Sequence, residues 1–226
     1  MTGRFEGIFL DFYGTVAGGD HQAVRDVCQR VIDDHNLTAD AGDLAGWWGD
    51  CYFAAIESVN GHAFRLLREI EHETLIETAL RMLSTEIDAT PYIEQLNAYL
   101  ACPQLFEEVH EVLSCLRLPV CIVSNADEHE IRQAIAHHGL KVDYVVTSES
   151  ARSYKPEPGI FRSALELTGW SPDRVLHVGD SLHSDVGGAH KAGLRAAWVR
   201  RAVRIKDIGD EEPEYTWGDL RPLLSL

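Results

Sequence analysis

Basic residues are scarce in this sequence. Its 226 residues include 20 Lys and Arg against 36 Asp and Glu, which gives a formal net charge of −16 at pH 7. Such a surface repels nucleic-acid phosphates and anionic lipid headgroups over most of its area. The composition therefore argues against a nucleic-acid or membrane partner, and we expect a small-molecule substrate instead.

Cysteine patterns typical of disulfide frameworks or zinc sites are also missing. The five cysteines are odd in number, and none stands in a C-x-x-C pair or at zinc-like spacing from a histidine. No signal-peptide hydrophobic region opens the sequence, and no apolar run is long enough to cross a membrane. We expect a cytoplasmic protein in a reducing compartment, either a monomer or a homodimer.

Short apolar runs alternate with amphipathic patterns over most of the chain. This alternation predicts an α/β fold with a parallel sheet covered by helices on both faces. A long stretch, from about His21 to Leu100, has helical periodicity only and reads as an inserted cap. We predict a core of residues 1–16 and 96–226 and a helical cap domain of residues 17–95. The predicted strands are FEGIFL, LPVCIVSN, DYVVTS, RVLHVG and RAAWV, with EYTW as a possible edge strand.

Polar residues follow four of the predicted strands. Functional groups of an open parallel sheet collect beyond the carboxyl ends of its strands, so these residues should meet at one edge. Three carboxylates beside one lysine leave two negative charges, which a divalent cation with oxygen ligands, Mg²⁺ above all, could offset. The candidates are Asp11, Gly14 and Thr15 after the first strand, Ser124 and Asn125 after the second, Lys155 after the third, and Asp180 and Asp185 after the fourth.

These four segments resemble the motifs of the haloacid dehalogenase-like hydrolase superfamily, in the correct order. The motifs are Asp11-Phe12-Tyr13-Gly14-Thr15-Val16, Ser124-Asn125, Lys155-Pro156, and Gly179-Asp180-Ser181 with Asp185. The resemblance covers nearly the whole chain and implies a Rossmann-like core whose inserted helical cap closes over the substrate.

The same resemblance implies roles for individual residues. Asp11 would be the nucleophile, and Asp11, Asp180 and the backbone carbonyl of Tyr13 would bind Mg²⁺. Substrate contacts would come from Gly14, Thr15, Ser124, Asn125 and Lys155. Asp185 would support Lys155 or the metal from the second sphere.

Tyr13 departs from the phosphatase pattern, which places a general acid two residues after the nucleophile. A phenol with an ordinary pKa near 10 is a poor general acid at neutral pH. Tyrosine at this position resembles the 2-haloacid dehalogenases, which displace halide without a metal and use an arginine early in the cap, where Arg25 and Arg30 lie. Those enzymes usually have a small neutral residue at the position of Asp180, whereas this chain keeps the acid. The leading hypothesis is a Mg²⁺-dependent phosphatase, and the alternatives are a dehalogenase-type hydrolase or an inactive binding protein.

Several other features have structural interpretations. His177 lies in a predicted strand and should be a core residue with its polar atoms satisfied. Asp127 with Glu130 predicts a capping box at a helix start. The cluster Arg200, Arg201 and Arg204 predicts a solvated surface. Gly179 to Leu182 spells the GDSL block of a serine esterase family, but no Asp-x-x-His pair follows it to supply the base.

Overall fold

The centre of the molecule is a single parallel sheet. The computed structural model describes residues 5–201, 209 and 211–226. The strands are β1 (Gly7–Leu10), β2 (Ala17–Gly18), β3 (Gln104–Leu105), β4 (Val120–Ser124), β5 (Tyr144–Thr147), β6 (Val175–Gly179), β7 (Arg195–Val199) and β8 (Tyr215–Trp217). Six of them form the sheet, in the order β5-β4-β1-β6-β7-β8, and every pair in it is parallel. The five predicted strands and the predicted edge strand are confirmed, as is the Rossmann-like α/β class.

The central strands are buried along their whole length. All residues of β1, β4 and β6 are buried, as expected when helices cover both faces of a parallel sheet. The register pairs Leu10 of β1 with Ile122 of β4 on one side and with Val178 of β6 on the other. The chain therefore leaves these three strands at nearly the same level, and their polar end residues meet there.

Nine α-helices surround or extend from the sheet in the part of the chain described. They are α1 (Asp20–Asp34), α2 (Ala41–Ser58), α3 (Leu67–Leu83), α4 (Thr90–Leu100), α5 (Val109–Cys115), α6 (Glu128–His137), α7 (Ser148–Ala151), α8 (Gly159–Thr168) and α9 (Gly188–Lys191). A π-helical turn, Leu182–Gly187, leads directly into α9. Short 3₁₀ turns cover Gly61–Ala63, Pro172–Arg174 and Arg221–Ser225.

Helices α1 to α4 form a layer of their own, called here the helical segment (residues 20–100). Its interior is an apolar cluster that includes Val27, Leu44, Trp48 and Leu75. Strands β2 and β3 pair antiparallel where the chain enters and leaves this segment. Helix α4 runs through residue 95, so we propose that the β2–β3 ribbon, rather than residue 95, marks the limit of a cap. The division into two domains stays a prediction.

The helical segment docks on the sheet through polar and apolar contacts around Tyr154. The Tyr154 hydroxyl donates to the Arg65 carbonyl at 2.8 Å, and its N–H donates to Asn60 Oδ1 at 2.7 Å. The Tyr154 ring is buried in one cluster with Leu67 and Ile70 of α3. These contacts hold the N-terminal end of α3 above the sheet edge at which β4 ends.

Asp127 is the N-cap residue of α6, but the predicted capping box is wrong. No side chain caps α6, although the helix begins where predicted. The Asp127 carboxylate instead accepts hydrogen bonds from the N–H groups of Leu67 (2.8 Å) and Arg68 (3.1 Å) at the start of α3. When the helical segment packs on the sheet, the unpaired N–H groups at the start of α3 come within reach of Asp127 and bind its carboxylate in place of the N–H groups of α6. The local sequence around Asp127 does not show that a second helix start lies nearby.

Arg201 corrects the prediction of a solvated basic cluster. Its side chain is 8% exposed, and its guanidinium lies 2.7 Å from the buried Glu108 carboxylate and 3.8 Å from the centre of the Phe106 ring. Arg204 lies outside the described residues. Among the helices described, none is both long and apolar enough to cross a membrane.

Candidate active site

Asp11 follows the last residue of β1 and points into a buried polar centre. It is 4% exposed, and its Oδ2 accepts a hydrogen bond from the Thr15 hydroxyl at 2.9 Å. Its Oδ1 accepts from Lys155 Nζ at 2.6 Å and from the Ser124 hydroxyl at 3.3 Å. The structure thus brings together four of the predicted site residues, one or two from each of three strand ends.

Lys155 bridges two carboxylates. Its Nζ lies 2.6 Å from Asp11 Oδ1, 2.6 Å from Asp185 Oδ1 and 3.1 Å from the Val123 carbonyl, so all three of its protons have acceptors. Burial opposes the charge on this amine, but the two carboxylates outweigh burial and raise the pKa of Lys155. The lysine therefore stays cationic and keeps both acids in position.

Asn125 fixes the backbone that carries Lys155. Its side-chain amide donates to the Lys155 carbonyl at 3.1 Å, and its Oδ1 accepts from the Lys155 N–H at 2.7 Å. Both polar groups of the amide face this loop. Asn125 therefore positions Lys155, and its place as a direct substrate contact stays a prediction.

Asp185 is surrounded by donors on the far side of Lys155. Its Oδ2 accepts from the Ser181 N–H at 3.0 Å, and its Oδ1 lies 2.9 Å from Nε2 of His177. Burial opposes ionisation of this acid, yet Lys155 and His177 together hold the pKa of Asp185 well below its ordinary range. Asp185 is thus an ionised anchor for Lys155, and its supporting role in the reaction stays a prediction.

His177 is a core residue as predicted, but it also contacts one of the predicted site residues, which sequence reasoning missed. It is fully buried in β6 and contacts Asp185 through Nε2, whereas its Nδ1 has no hydrogen-bond partner among the residues described. The prediction that its polar atoms are all satisfied is wrong for Nδ1. The sequence does contain one relevant signal. His177 precedes Asp185 by eight residues, so a loop that turns back after β6 can bring the two side chains together.

Asp180 completes a group of three carboxylates. One oxygen of each of Asp11, Asp180 and Asp185 lies within 4.8 Å of the other two, and all three residues are buried. Gly14, with φ of 90°, lies so close that a Cβ there would stand 2.7 Å from the Asp180 carboxylate. The conformation and the contact both require glycine, so Gly14 shapes the site through its lack of a side chain.

The donor set fits a hard divalent cation. The carboxylate oxygens of Asp11, Asp180 and Asp185 lie close enough together for an ion to be shared between two of them. Burial raises the pKa of Asp11, and the positive charge of Lys155 opposes that rise without cancelling it. Oxygen ligands of this kind favour Mg²⁺ over softer metals.

The Tyr13 hydroxyl is held by a backbone carbonyl of the helical segment. Its hydroxyl donates to the Leu100 carbonyl, at the end of α4, at 2.8 Å. Burial is the main reason that the pKa of Tyr13 is raised far above its ordinary value. This hydroxyl is therefore poorly placed to deliver a proton, as its chemistry predicts, and it links the β1 end to the helical segment.

Arg25 and Arg30, the arginines considered for a dehalogenase, lie on the outside of the helical segment. Arg30 donates to the Pro91 carbonyl at 3.1 Å and to Gln95 at 3.0 Å, and Arg25 lies 4.0 Å from the exposed Asp40. Neither guanidinium contacts Asp11 in the structure. The serine-esterase alternative also lacks support, because no histidine described contacts the Ser181 hydroxyl, which accepts from the Ser184 N–H.

Three further acids are buried, one in the helical segment and two at the start of α6. The sequence pattern did not predict that they would be buried. Glu71 of α3, and Asp127 and Glu130 at the start of α6, are each less than 10% exposed. Burial, followed by the charges of Asp127 and Glu130, raises the pKa of Glu71 to about 8. Only one of several acids in α3 is buried, and the sequence pattern gave no sign which one.

Comparison with known proteins identifies the family. A model of the haloacid dehalogenase-like hydrolases matches residues 5–193. The chain belongs to this family. The hydrolase assignment and the resemblance inferred from the four motifs are thereby confirmed.

Curated members of the family similar to this hydrolase carry out different reactions. A haloacetate dehalogenase of Moraxella sp. (strain B) is 25% identical over 220 residues, which cover 94% of this chain and 93% of that protein. A phosphoserine phosphatase of Thermus thermophilus is 38% identical over 94 residues, which cover 42% of this chain but only 36% of that protein. Family membership therefore leaves the choice between phosphate esters and haloacids open.

The fold also matches solved structures of the family. The L-2-haloacid dehalogenase of Xanthobacter autotrophicus superposes with a TM-score of 0.79 at 21% identity, covering 98% of each chain. A likeness at this identity establishes the shared fold and says nothing about the substrate.

Proposed function

We propose that this hydrolase is a Mg²⁺-dependent phosphatase that acts on a small phosphate ester through an aspartyl-phosphate intermediate on Asp11. The observation that carries the proposal is the position of Asp180, which lies beside Asp11 in a buried group of three acids with a single lysine. A dehalogenase that works without a metal has no use for this extra buried charge, which is costly to keep.

The proposed chemistry assigns a separate task to each side chain. Asp11 attacks phosphorus in line, the bond from phosphorus to the leaving oxygen breaks, and water then hydrolyses the acyl phosphate to regenerate Asp11. Lys155 and the Ser124 hydroxyl hold Asp11 and screen the incoming anion, while Asp185 holds Lys155. Mg²⁺ bound by Asp11, Asp180 and the Tyr13 carbonyl would neutralise charge on the phosphoryl oxygens.

Dehalogenation is the second candidate. It is favoured by Tyr13 and by the dehalogenase relative that aligns over nearly its full length. In that reaction Asp11 would displace halide from carbon, and water would hydrolyse the resulting ester. The absence of an arginine from the surroundings of Asp11, among the contacts described above, counts against it.

A paired assay on one preparation separates the two candidates. One arm follows phosphate release from an aryl phosphate with Mg²⁺ and then with chelator, and the other follows halide release from 2-chloropropionate with chelator. We expect Mg²⁺-dependent phosphate release, abolished in Asp11→Asn and in Asp180→Asn. The control Asp33→Asn, which changes an exposed acid held by Gln29, should retain full activity.

Three results of this assay would overturn the proposal. Metal-independent halide release that survives Asp180→Asn would establish the dehalogenase. Full activity of Asp11→Asn would remove the nucleophile assignment for either reaction. No activity on either substrate in the wild-type protein would favour the inactive binding protein.

A further inference from the structure

One face of β6 accommodates the carboxylate of Asp185. His177 and Gly179 stand two residues apart in this strand and therefore lie on the same face of it. The Nε2 atom of His177 lies 2.9 Å from Asp185 Oδ1. A Cβ on Gly179 would stand 2.1 Å from the carboxyl carbon of Asp185, so only glycine leaves room for the acid at this position. The strand thus provides a hydrogen-bond donor at one position and free space at the other.

Two donors share one oxygen of Asp185. Its Oδ1 accepts from Lys155 Nζ at 2.6 Å and from His177 Nε2 at 2.9 Å, while its Oδ2 accepts from the Ser181 N–H at 3.0 Å. An ionised carboxylate can only accept hydrogen bonds, so Nε2 is the nitrogen of His177 that carries a proton in this contact. The position of Oδ1 therefore depends on His177 as well as on Lys155.

The chain of hydrogen bonds continues from Asp185 to the reacting carboxylate. Lys155 Nζ lies 2.6 Å from Asp185 Oδ1 and 2.6 Å from Asp11 Oδ1, so a shift of Asp185 would move the ammonium group relative to Asp11. All four side chains of this chain are buried, which leaves little water to replace a lost contact. Within the described ranges, the polar contact of the His177 ring is with Asp185 alone.

Packing alone does not account for a histidine in this place. The ring is fully buried and packs edge-on against Phe161, with 4.9 Å between the ring centres. Its Nδ1 is a buried polar atom without a hydrogen-bond partner in the described part of the chain, a cost that an apolar side chain would avoid. The hydrogen bond from Nε2 to Asp185 is the contribution that an apolar residue could not make.

We propose that His177 is a positioning residue for the Asp11 centre and acts through Asp185 and Lys155. Its Nε2–H group holds Asp185 Oδ1, Asp185 holds the Lys155 ammonium, and the ammonium keeps the Asp11 carboxylate in one orientation. The inference rests on the proposed role of Asp11 as the nucleophile and adds a residue to that site. It applies equally whether Asp11 attacks phosphorus or carbon.

Three substitutions of His177 separate its hydrogen bond from its packing. His177→Leu removes the donor, His177→Gln keeps an N–H donor at about the reach of Nε2, and His177→Asn has a donor that is too short to reach Asp185. Steady-state hydrolysis of an aryl phosphate with Mg²⁺ would compare them. We expect His177→Leu and His177→Asn to lose about tenfold or more in kcat, as the loss of an outer-sphere partner typically costs. His177→Gln should recover most of that loss. Because His177 does not touch the substrate, kcat and kcat/KM should fall together.

The matched control is Val175→Ala, which removes buried volume from the same strand and the same face. It should lower the stability measured by urea unfolding and leave kcat near the wild-type value. Circular dichroism would verify that each variant is folded. If His177→Leu does not fold, the comparison of His177→Gln with His177→Asn decides, since only a positioning role makes the rate depend on the reach of the donor.

Two results would overturn the inference. One is a wild-type kcat in His177→Leu, and the other is an equal loss of kcat in His177→Gln and His177→Asn. If aryl phosphate is hydrolysed by the wild type in either case, the phosphatase proposal stands. If the wild type releases halide from 2-chloropropionate instead of phosphate, the phosphatase proposal fails, and the same comparison on halide release decides the role of His177. If the wild type catalyses neither reaction, both proposals fail.

Discussion

At the scale of single residues, Glu71 shows how burial changes the chemistry of an ordinary acid. Its carboxyl is buried near two other acids, so its pKa rises from 4.5 to about 8. Between these values the folded protein holds a proton that the unfolded chain has released. The free energy of unfolding must therefore fall as the pH rises through this window.

The variant Glu71→Gln should remove this pH dependence. We expect wild type and variant to be close in stability near pH 5, and the variant to gain on wild type by on the order of 1 kcal/mol per pH unit up to pH 8. Urea unfolding at pH 5, 6.5 and 8 measures the difference. The exposed control Glu77→Gln should show no such trend, and parallel pH curves for Glu71→Gln and wild type would contradict the assignment.

Tyr13 makes a second prediction at this scale. Because its hydroxyl donates to the Leu100 carbonyl, it does not protonate a leaving group, and good leaving groups should react best. We expect aryl phosphates to be hydrolysed faster than alkyl phosphates by about 10²-fold, the rate contribution typical of a positioned acid. Steady-state rates for phenyl and ethyl phosphate give this ratio. Tyr13→Phe should keep it, whereas a large loss of phenyl phosphate turnover in Tyr13→Phe would show that the phenol takes part.

At the scale of secondary-structure elements, the start of α3 depends on a residue of α6. Asp127 accepts the Leu67 and Arg68 N–H groups and leaves its own helix without a side-chain cap. The same contact ties the helical segment to the sheet, next to the contacts of Tyr154 with Asn60 and Arg65. The same hydrogen bonds to Asp127 therefore cap α3 and attach the helical segment to the sheet.

Asp127→Ala should loosen α3 more than α6. Hydrogen exchange of the amides of Leu67 and Arg68 should accelerate about tenfold, in line with the 1 kcal/mol or so that an N-cap supplies, while α6 changes less. Asp40→Ala is the matched control, because Asp40 caps its own helix α2 by accepting from Gly42 and Asp43. Faster exchange confined to α6 in the Asp127 variant would mean that the predicted capping box does exist in solution.

At the scale of the whole molecule, the pair of Arg201 and Glu108 joins distant parts of the chain. The Arg201 guanidinium donates to the Thr15 carbonyl at 2.7 Å and pairs with Glu108, which is 2% exposed. Glu108 also accepts the Leu220 N–H at 3.2 Å. One buried ion pair therefore connects the loop after β1, the start of α5, the end of β7 and the C-terminal turn.

Arg201→Met should destabilise the protein by about 3–5 kcal/mol, because it leaves Glu108 buried and unpaired. The double variant Arg201→Met with Glu108→Gln should recover part of the loss. Arg221→Met, which breaks an exposed pair with Glu107, should cost about 0–1 kcal/mol. Urea denaturation compares the three variants, and equal losses in Arg201→Met and Arg221→Met would rule out a special role for the buried pair.

The sequence by itself determined the order of the strands along the chain and the acids at their ends. Short apolar runs such as Gly7–Leu10 and Val120–Ser124 are too short for typical helices and indicate buried strands, and a parallel sheet then brings Asp11, Ser124 and Asp180 to one edge. These conclusions depend on local patterns and on one topological rule, so a single sequence suffices for them.

Tertiary structure alone decided which polar groups meet across long separations. Asp127 caps a helix that begins 60 residues earlier, His177 contacts Asp185, and Glu71 is the acid of α3 that becomes buried. Each of these outcomes depends on how the helical segment and the loops pack against the sheet. Tertiary packing decides which hydrogen-bond donors and charges each side chain meets. No local sequence pattern contains that information.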